Sequence, residues 1–202
     1  MALKAVIFDL NGVFIQSPKL SDRFRDDFGV PPEEFLPALK SALTQARLPG
    51  GVDVYTSMRP HLERWGITHT KEEFFHYWFS AEHEVPEMAD LAHTLRAKGI
   101  RVLILSNNFP ERSAYYADFP FVRDAVDTVY YSWQIGYPKS DPRAYQAVLD
   151  REGLRPDECV FFDDQEENVR IAQSLGIASH VFSGIDGVRE VLVGVFLSFR
   201  TK

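Results

Sequence analysis

The chain has 202 residues, 45% of them hydrophobic and 25% charged, with a formal net charge of -7. That length and apolar content suit one domain carrying an insertion, with enough buried side chains for a core of its own. The acidic balance argues against nucleic acid or an anionic membrane as partner, because both call for a basic surface, but leaves room for a locally positive site that takes an anion.

The opening run "KAVIF" (4–8) is short, branched and apolar throughout, as a parallel strand covered on both faces should be. Asp9 interrupts it, so the segment does not read as a signal peptide. For the next seventy or so positions no strand pattern is convincing. Helical stretches near 19–28, 32–46, 53–65 and 71–80 are separated by "GVPP", "LPGGVD" and "GITHT". This predicts a helical subdomain over 16–85, inserted after the first strand, with hinges near 15–19 and 81–86.

From position 86 onward strands and helices alternate. The helix "PEMADLAHTLRAKG" runs up to Gly99, "DPRAYQAVLDREG" to Gly153 and "EENVRIAQSLG" to Gly176. Glycine favours such a stop because it accepts the left-handed conformation that ends many helices. The runs "RVLIL" (101–105), "DTVYY" (127–131), "CVFF" (159–162) and "SHVF" (179–182) predict four further strands. The fold class that follows is α/β: a doubly wound, parallel five-stranded sheet built from 1–15 and 86–202, with the helical unit inserted. The single cysteine, Cys159, heads an apolar run and reads as a small buried hydrophobe in a reducing, cytoplasmic setting. No apolar run approaches the ~20 residues that span a bilayer, and nothing in the pattern sets an oligomeric state.

In an open parallel sheet, ligands bind beyond the carboxyl ends of the strands, where the strand order reverses. The residues that follow the predicted strands are therefore the candidates. They are Asp9, Leu10 and Asn11 after the first, and Ser106, Asn107 and Asn108 after the second. Lys139, in "SWQIGYPK", follows the third, and Asp163 with Asp164 follow the fourth. A nucleophile, a hydroxyl, a cation and paired carboxylates would converge on one edge. Each alone has an ordinary reading as a turn, a helix cap or a surface charge. Their succession at four strand ends is what points to a site.

"VIFDLNGVF", "VLILSNN", "GYPKSDPRAY" and "VFFDDQEENV" resemble the four motifs of the haloacid dehalogenase superfamily. The helical insertion lies where that superfamily carries a helical cap. Within it the chain is most similar to bacterial glucose-1-phosphate phosphatases and to the N-terminal phosphatase domains of epoxide hydrolases. The resemblance implies a Rossmann-like core and a phosphatase acting on a small phosphorylated metabolite, such as a sugar phosphate. It implies that Asp9 is the nucleophile, and that Mg2+ is held by Asp9, Asp164 and the carbonyl of Asn11, with Asp163 in support. Ser106, with backbone N–H groups near Leu10 and Asn107, would bind phosphoryl oxygens, and Lys139 would neutralise charge.

One position departs from the pattern. Most such phosphatases carry aspartate where this chain has Asn11, and that aspartate shuttles the leaving group's proton. General acid–base help is worth roughly 10²–10⁴ in rate. Three readings stay open: a substrate with an acidic leaving group, a proton supplied by His61, His76 or His83, or a weakened or inactive phosphate-binding or scaffold protein. A dehalogenase is a further alternative, and the Asp163–Asp164 pair argues against it because those enzymes use no metal. Asn108 and Trp133 are expected near the substrate, Trp133 facing the helical unit, and Arg47 is expected at the entrance. The aromatic run "KEEFFHYWF" (71–79) is expected to pack between helices.

Overall fold

In a computed structural model, which describes residues 3–200 and their side chains through 194, five strands form one parallel sheet. They are β1 (Ala5–Phe8), β4 (Arg101–Ser106), β5 (Thr128–Tyr131), β6 (Cys159–Asp163) and β7 (Ala178–Val181), in the order β5-β4-β1-β6-β7. The chain winds outward from β1 through β4 to β5, then crosses back to lay β6 on the other side of β1. The strand order therefore reverses at β1, which puts the ends of β1, β4 and β6 around one crevice. Residues 1–2 and 201–202, at the two ends of the expected core range, lie outside the described residues.

The central strands β1, β4 and β6 read as nearly continuous apolar runs because each face meets a helical layer. Val6 and Phe8 of β1 join Val102 and Ile104 of β4 and Val160 and Phe162 of β6 in one cluster. That cluster continues into α5 (Pro86–Ala97) through Met88 and Ala92 and into α11 (Ile185–Arg200) through Val188 and Leu192. Ala5, Ile7, Leu103, Leu105 and Phe161 point the other way. They meet Tyr145 and Val148 of α9 (Pro142–Glu152) and Ala172 of α10 (Glu166–Ser174). Fully burying one such apolar side chain is worth about 1.5–3 kcal/mol. Cys159 sits in this second cluster, and burial pushes its thiol up to about 12, so it packs as a hydrophobe.

Between β1 and α5 lie four helices, α1 (Leu20–Phe28), α2 (Pro32–Ala46), α3 (Val54–Arg64) and α4 (Lys71–Phe79). They enclose a third apolar cluster that includes Phe24, Phe35, Met58, Phe74 and Trp78. A capping box opens α4: Thr70 Oγ1 accepts from the Glu73 N–H, and the Glu73 carboxylate accepts from the Thr70 N–H. The "KEEFFHYWF" aromatics are interior: Phe74, Phe75, Trp78 and Phe79 are buried. Phe109, just past β4, is fully buried in the same cluster, with its ring 5.5 Å from that of Trp78. The helical unit is thus anchored on the loop that carries Ser106 to Asn108.

A feature absent from the sequence reading closes this unit at its base. β2 (Ile15–Gln16) and β3 (His83–Glu84) pair antiparallel, Ile15 opposite Glu84, where hinge loops were expected. Two residues are too few for a period-two pattern to register. Three short helices were also unforeseen: α6 (Pro110–Tyr116), α7 (Pro120–Asp124) and α8 (Ser132–Ile135). No helix among the described residues is long and apolar enough to cross a membrane.

Candidate active site

The register of the sheet assembles the site. Phe8 pairs with Ile104 on one side and Phe162 on the other, and Asp9 extends that ladder by donating its N–H to the Phe162 carbonyl at 2.8 Å. Asp9 thereby comes to lie beside Asp163. Lys139 reaches in from the loop after α8, its own N–H held at 2.8 Å by the Asn107 side-chain oxygen. Its ammonium sits 2.6 Å from Asp9 Oδ1 and 2.7 Å from Asp163 Oδ2. Burial alone would pull this ammonium down, but the two carboxylates outweigh burial and raise it. Lys139 is therefore a fixed cation between two acids.

Asp9 Oδ1 also accepts the Leu10 N–H at 2.7 Å. Both of these partners sit on Oδ1, which leaves Oδ2 for other chemistry. Burial drives the Asp9 carboxyl up to about 6; Lys139 works against this rise and Asp163 adds to it. Asp163 is fully buried and engaged on both oxygens. Its Oδ1 accepts from the Gln165 N–H at 2.8 Å and the Asn168 amide at 3.0 Å, and its Oδ2 takes Lys139. Its part is to hold Lys139 and the start of α10 in place.

Carboxylate oxygens of Asp9, Asp163 and Asp164 lie within 4.8 Å of one another. Such an all-oxygen set fits a hard divalent cation. Gly12 makes the close approach possible. Its φ is 88°, and a Cβ there would come 2.7 Å from Asp164 Oδ2. Only glycine accepts both the left-handed backbone and the missing side-chain space.

These groups open onto a cavity of about 370 Å³ lined by Asp9, Asn11, Ser106, Asn107, Lys139 and Asp164. The Ser106 hydroxyl is buried with no hydrogen-bond partner among the described residues. An unmet buried donor is costly, and a ligand oxygen in the cavity would satisfy it. Arg47, Arg112, Gln165 and Asn168 complete the lining.

Several expected residues stand apart from the cavity. The Leu10 side chain is buried in the core, and only its N–H serves the site. Asn108 is fully buried; its N–H donates to Ser132 Oγ at 3.1 Å, and its side-chain oxygen accepts the Phe109 N–H. It is not among the residues lining the cavity, although its side-chain nitrogen is buried with no hydrogen-bond partner among the described residues. Trp133, expected to face the helical unit, packs instead on the core. Its indole N–H donates to Ser113 Oγ at 3.1 Å, and it lines a separate surface depression with Pro110 and Tyr131. The reason is that α8 begins directly after β5 and turns the ring away from the crevice. His61, His76 and His83 are not among the lining residues.

The sequence reading missed Arg112, Glu82 and Tyr116. The Asn11 amide nitrogen donates to the Tyr116 hydroxyl at 2.7 Å, and that hydroxyl donates to Glu82 Oε2 at 2.6 Å. Arg112 donates to Glu82 Oε1 at 2.5 Å. Burial keeps the Tyr116 phenol protonated. Arg112 and Tyr116 are four apart on α6, so they share a face, and that spacing was the available signal. Glu82 lies 30 residues from Arg112 and carried none.

Residues 3–176 match the family model described as haloacid dehalogenase-like hydrolase. The chain is 38% identical over 94 residues to acyl-CoA dehydrogenase family member 10 of Mus musculus, covering 46% of this chain and 9% of that protein. It is 26% identical over 193 residues to the phosphorylated carbohydrates phosphatase of Thermotoga maritima, covering 87% and 82% respectively. Six of the curated relatives it matches are spanned over half their length or less. A HAD family enzyme of Bacteroides thetaiotaomicron, solved with magnesium and inorganic phosphate, shares the fold at a TM-score of 0.73 and 24% identity, covering 89% of this chain and 94% of that one. Fold, motif order and family model agree: the chain belongs to the haloacid dehalogenase-like hydrolase family.

Proposed function

We propose that the chain is a Mg2+-dependent phosphatase of a small phosphorylated metabolite, a sugar phosphate among the candidates, working through an aspartyl-phosphate on Asp9. The observation that carries this reading is the Asp9 carboxylate, clamped on one oxygen by Lys139 and Leu10, facing a cavity beside the unpartnered Ser106 hydroxyl. A 370 Å³ cavity suits a metabolite-sized ligand.

In this account Asp9 Oδ2 attacks phosphorus, and the bond from phosphorus to the leaving oxygen breaks. Ser106 and Lys139 hold the phosphoryl oxygens while charge redistributes. Such positioning and charge neutralisation make up most of what phosphoryl transfer requires of a protein. Asp9, Asp164 and the carbonyl of Asn11 would hold Mg2+, which when bound neutralises phosphoryl charge. Water then attacks phosphorus, the bond from phosphorus to Asp9 Oδ2 breaks, and inorganic phosphate leaves with the protons of that water, restoring the Asp9 carboxylate. Residues 16–85 act as a cap over a core of 1–15 and 86–202, keeping bulk water from the cavity.

Asn11 has no proton to exchange, and its amide is committed to Tyr116. The leaving group must therefore depart without a donor at this position, which favours anomeric, acyl or aryl phosphates. The same asparagine is what favours the second reading, a phosphate-binding protein without turnover. Phosphate release from a panel of aryl and sugar phosphates, with and without EDTA, separates the two. Mass spectrometry must first show that Asn11, followed by Gly12, is still an amide. Mg2+-dependent release that is lost in Asp9→Asn supports the phosphatase; none from any donor supports the binder.

A further inference from the structure

Two arginines line the cavity that no role above uses. Arg47 closes the C-terminal end of α2 in the helical unit, and Arg112 lies on α6 of the core. Arg47 makes no ion pair among the described residues, and its Nε is buried without a hydrogen-bond partner. The helix end does not engage the side chain, since only the Arg47 backbone N–H bonds back, to the Leu43 carbonyl. Arg112 is 9% exposed and spends one terminal nitrogen on Glu82, and its Nε is likewise buried and unpartnered.

Holding two guanidinium groups around one small cavity has a standing electrostatic cost. Burial and the nearby Arg112 push Arg47 down to about 10, partly offset by Asp9, so both remain cations at neutral pH. The phosphoryl group already has its donors in Ser106 and Lys139. The arginine pair is therefore surplus to the reacting phosphate.

We infer that the substrate's leaving group carries an oxyanion of its own, a carboxylate or a second phosphate, received between Arg47 and Arg112. This rests on the phosphatase reading above and names its substrate class. The planar guanidinium fork matches either oxyanion with paired donors, which an ammonium cannot do. Because one arginine comes from the helical unit and one from the core, the same anion bridges the two and favours the closed arrangement.

The test is calorimetric binding of three unreactive phosphonates to the full chain with Mg2+: propylphosphonate, 3-phosphonopropionate and propane-1,3-bisphosphonate. Charge-assisted hydrogen bonds predict that a second anion tightens binding by about tenfold or more. Whichever of the two ligands with a second anionic group gains more identifies carboxylate or phosphate as the group received. In Arg47→Gln, which breaks no ion pair, the gain should fall to within about threefold of none, while Arg47→Lys should keep part of it. A thermal melt shows that each variant is folded. Equal binding of all three ligands, a gain that survives Arg47→Gln, or no binding of any of them overturns the inference. Asp9-dependent phosphate release from a plain aryl phosphate involves no second anion, so the phosphatase reading stands or falls on that assay separately.

Discussion

The Asn11 side-chain nitrogen and the Tyr116 hydroxyl oxygen are 2.7 Å apart, and the hydroxyl's only proton points onward to Glu82. The Tyr116 oxygen is thus an acceptor toward position 11, and an amide N–H is the group it suits. A carboxylate in the same place would face a lone pair, with one phenol proton to share between itself and Glu82.

Asn11→Asp should therefore destabilise the metal-free protein at pH 8, by less than the roughly 1–3 kcal/mol that a fully buried unpaired polar group costs, because position 11 is half-buried. The carboxyl escapes that cost when protonated, because it then donates to Tyr116. Its folded pKa is raised, so stability is present at low pH and lost as pH rises through that value. Urea denaturation at pH 5 and pH 8 should show the deficit shrinking on the acid side. A deficit equal at both values would mean that Tyr116 does not discriminate amide from acid.

Glu82 holds Arg112 and Tyr116 together, and its side chain is completely buried. Removing one partner of a buried pair leaves the other charge uncompensated, at about 3–5 kcal/mol. Glu82→Ala should lower unfolding stability by that amount in urea. A loss below about 1 kcal/mol, typical of exposed pairs, would mean that Arg112 finds another partner.

The acid side of the pH–rate profile should report Asp9. Burial holds its carboxyl near 6 in the metal-free chain, and the nucleophile must be ionised, so kcat/KM falls as pH drops through that region. A cation favours the carboxylate, so raising Mg2+ should move the acid limb to lower pH. No basic limb should arise from position 11, since an amide does not titrate. Rates measured at two Mg2+ concentrations check both points, and a metal-independent acid limb would argue against Asp9 as its source.

Gly12→Ala tests the cation site. The added methyl would lie 2.7 Å from Asp164 Oδ2 in a backbone at φ 88°. Asp164 must shift, so Mg2+ affinity measured by calorimetry should fall by tenfold or more, about 1.4 kcal/mol. Stability should fall as well, by the strain of alanine in a left-handed position. Unchanged Mg2+ affinity would remove Asp164 from the ligand set.

The central strands β1, β4 and β6 were legible because they are buried on both faces, so nearly their whole length is apolar. The sheet edge was legible because Asp9, Ser106 and Asp163 each end or follow such a run directly. Lys139 needed only a short loop from β5. The groups that escaped notice are those the tertiary fold brings together: Glu82 reaches Arg112 and Tyr116 across the base of the helical unit, with no local pattern to announce it. Trp133 shows the converse limit. Its position in a site-bearing loop suggested a role, but the direction of α8 turned it onto Ser113.

The proposed mechanism rests on a covalent aspartyl-phosphate that Asn11 leaves without a base for its hydrolysis. An acidic leaving group eases only the first step, while the second loses the roughly 10²–10⁴ in rate that general base help is worth, so the second should be the slower. Rapid-quench mixing of the chain with Mg2+ and an aryl phosphate measures this directly. The expected result is a burst of phenol near one equivalent, followed by slow turnover, with a phosphoryl group on the Asp9 peptide by mass spectrometry and neither in Asp9→Asn. Release without a burst and without an adduct at any quench time would contradict it.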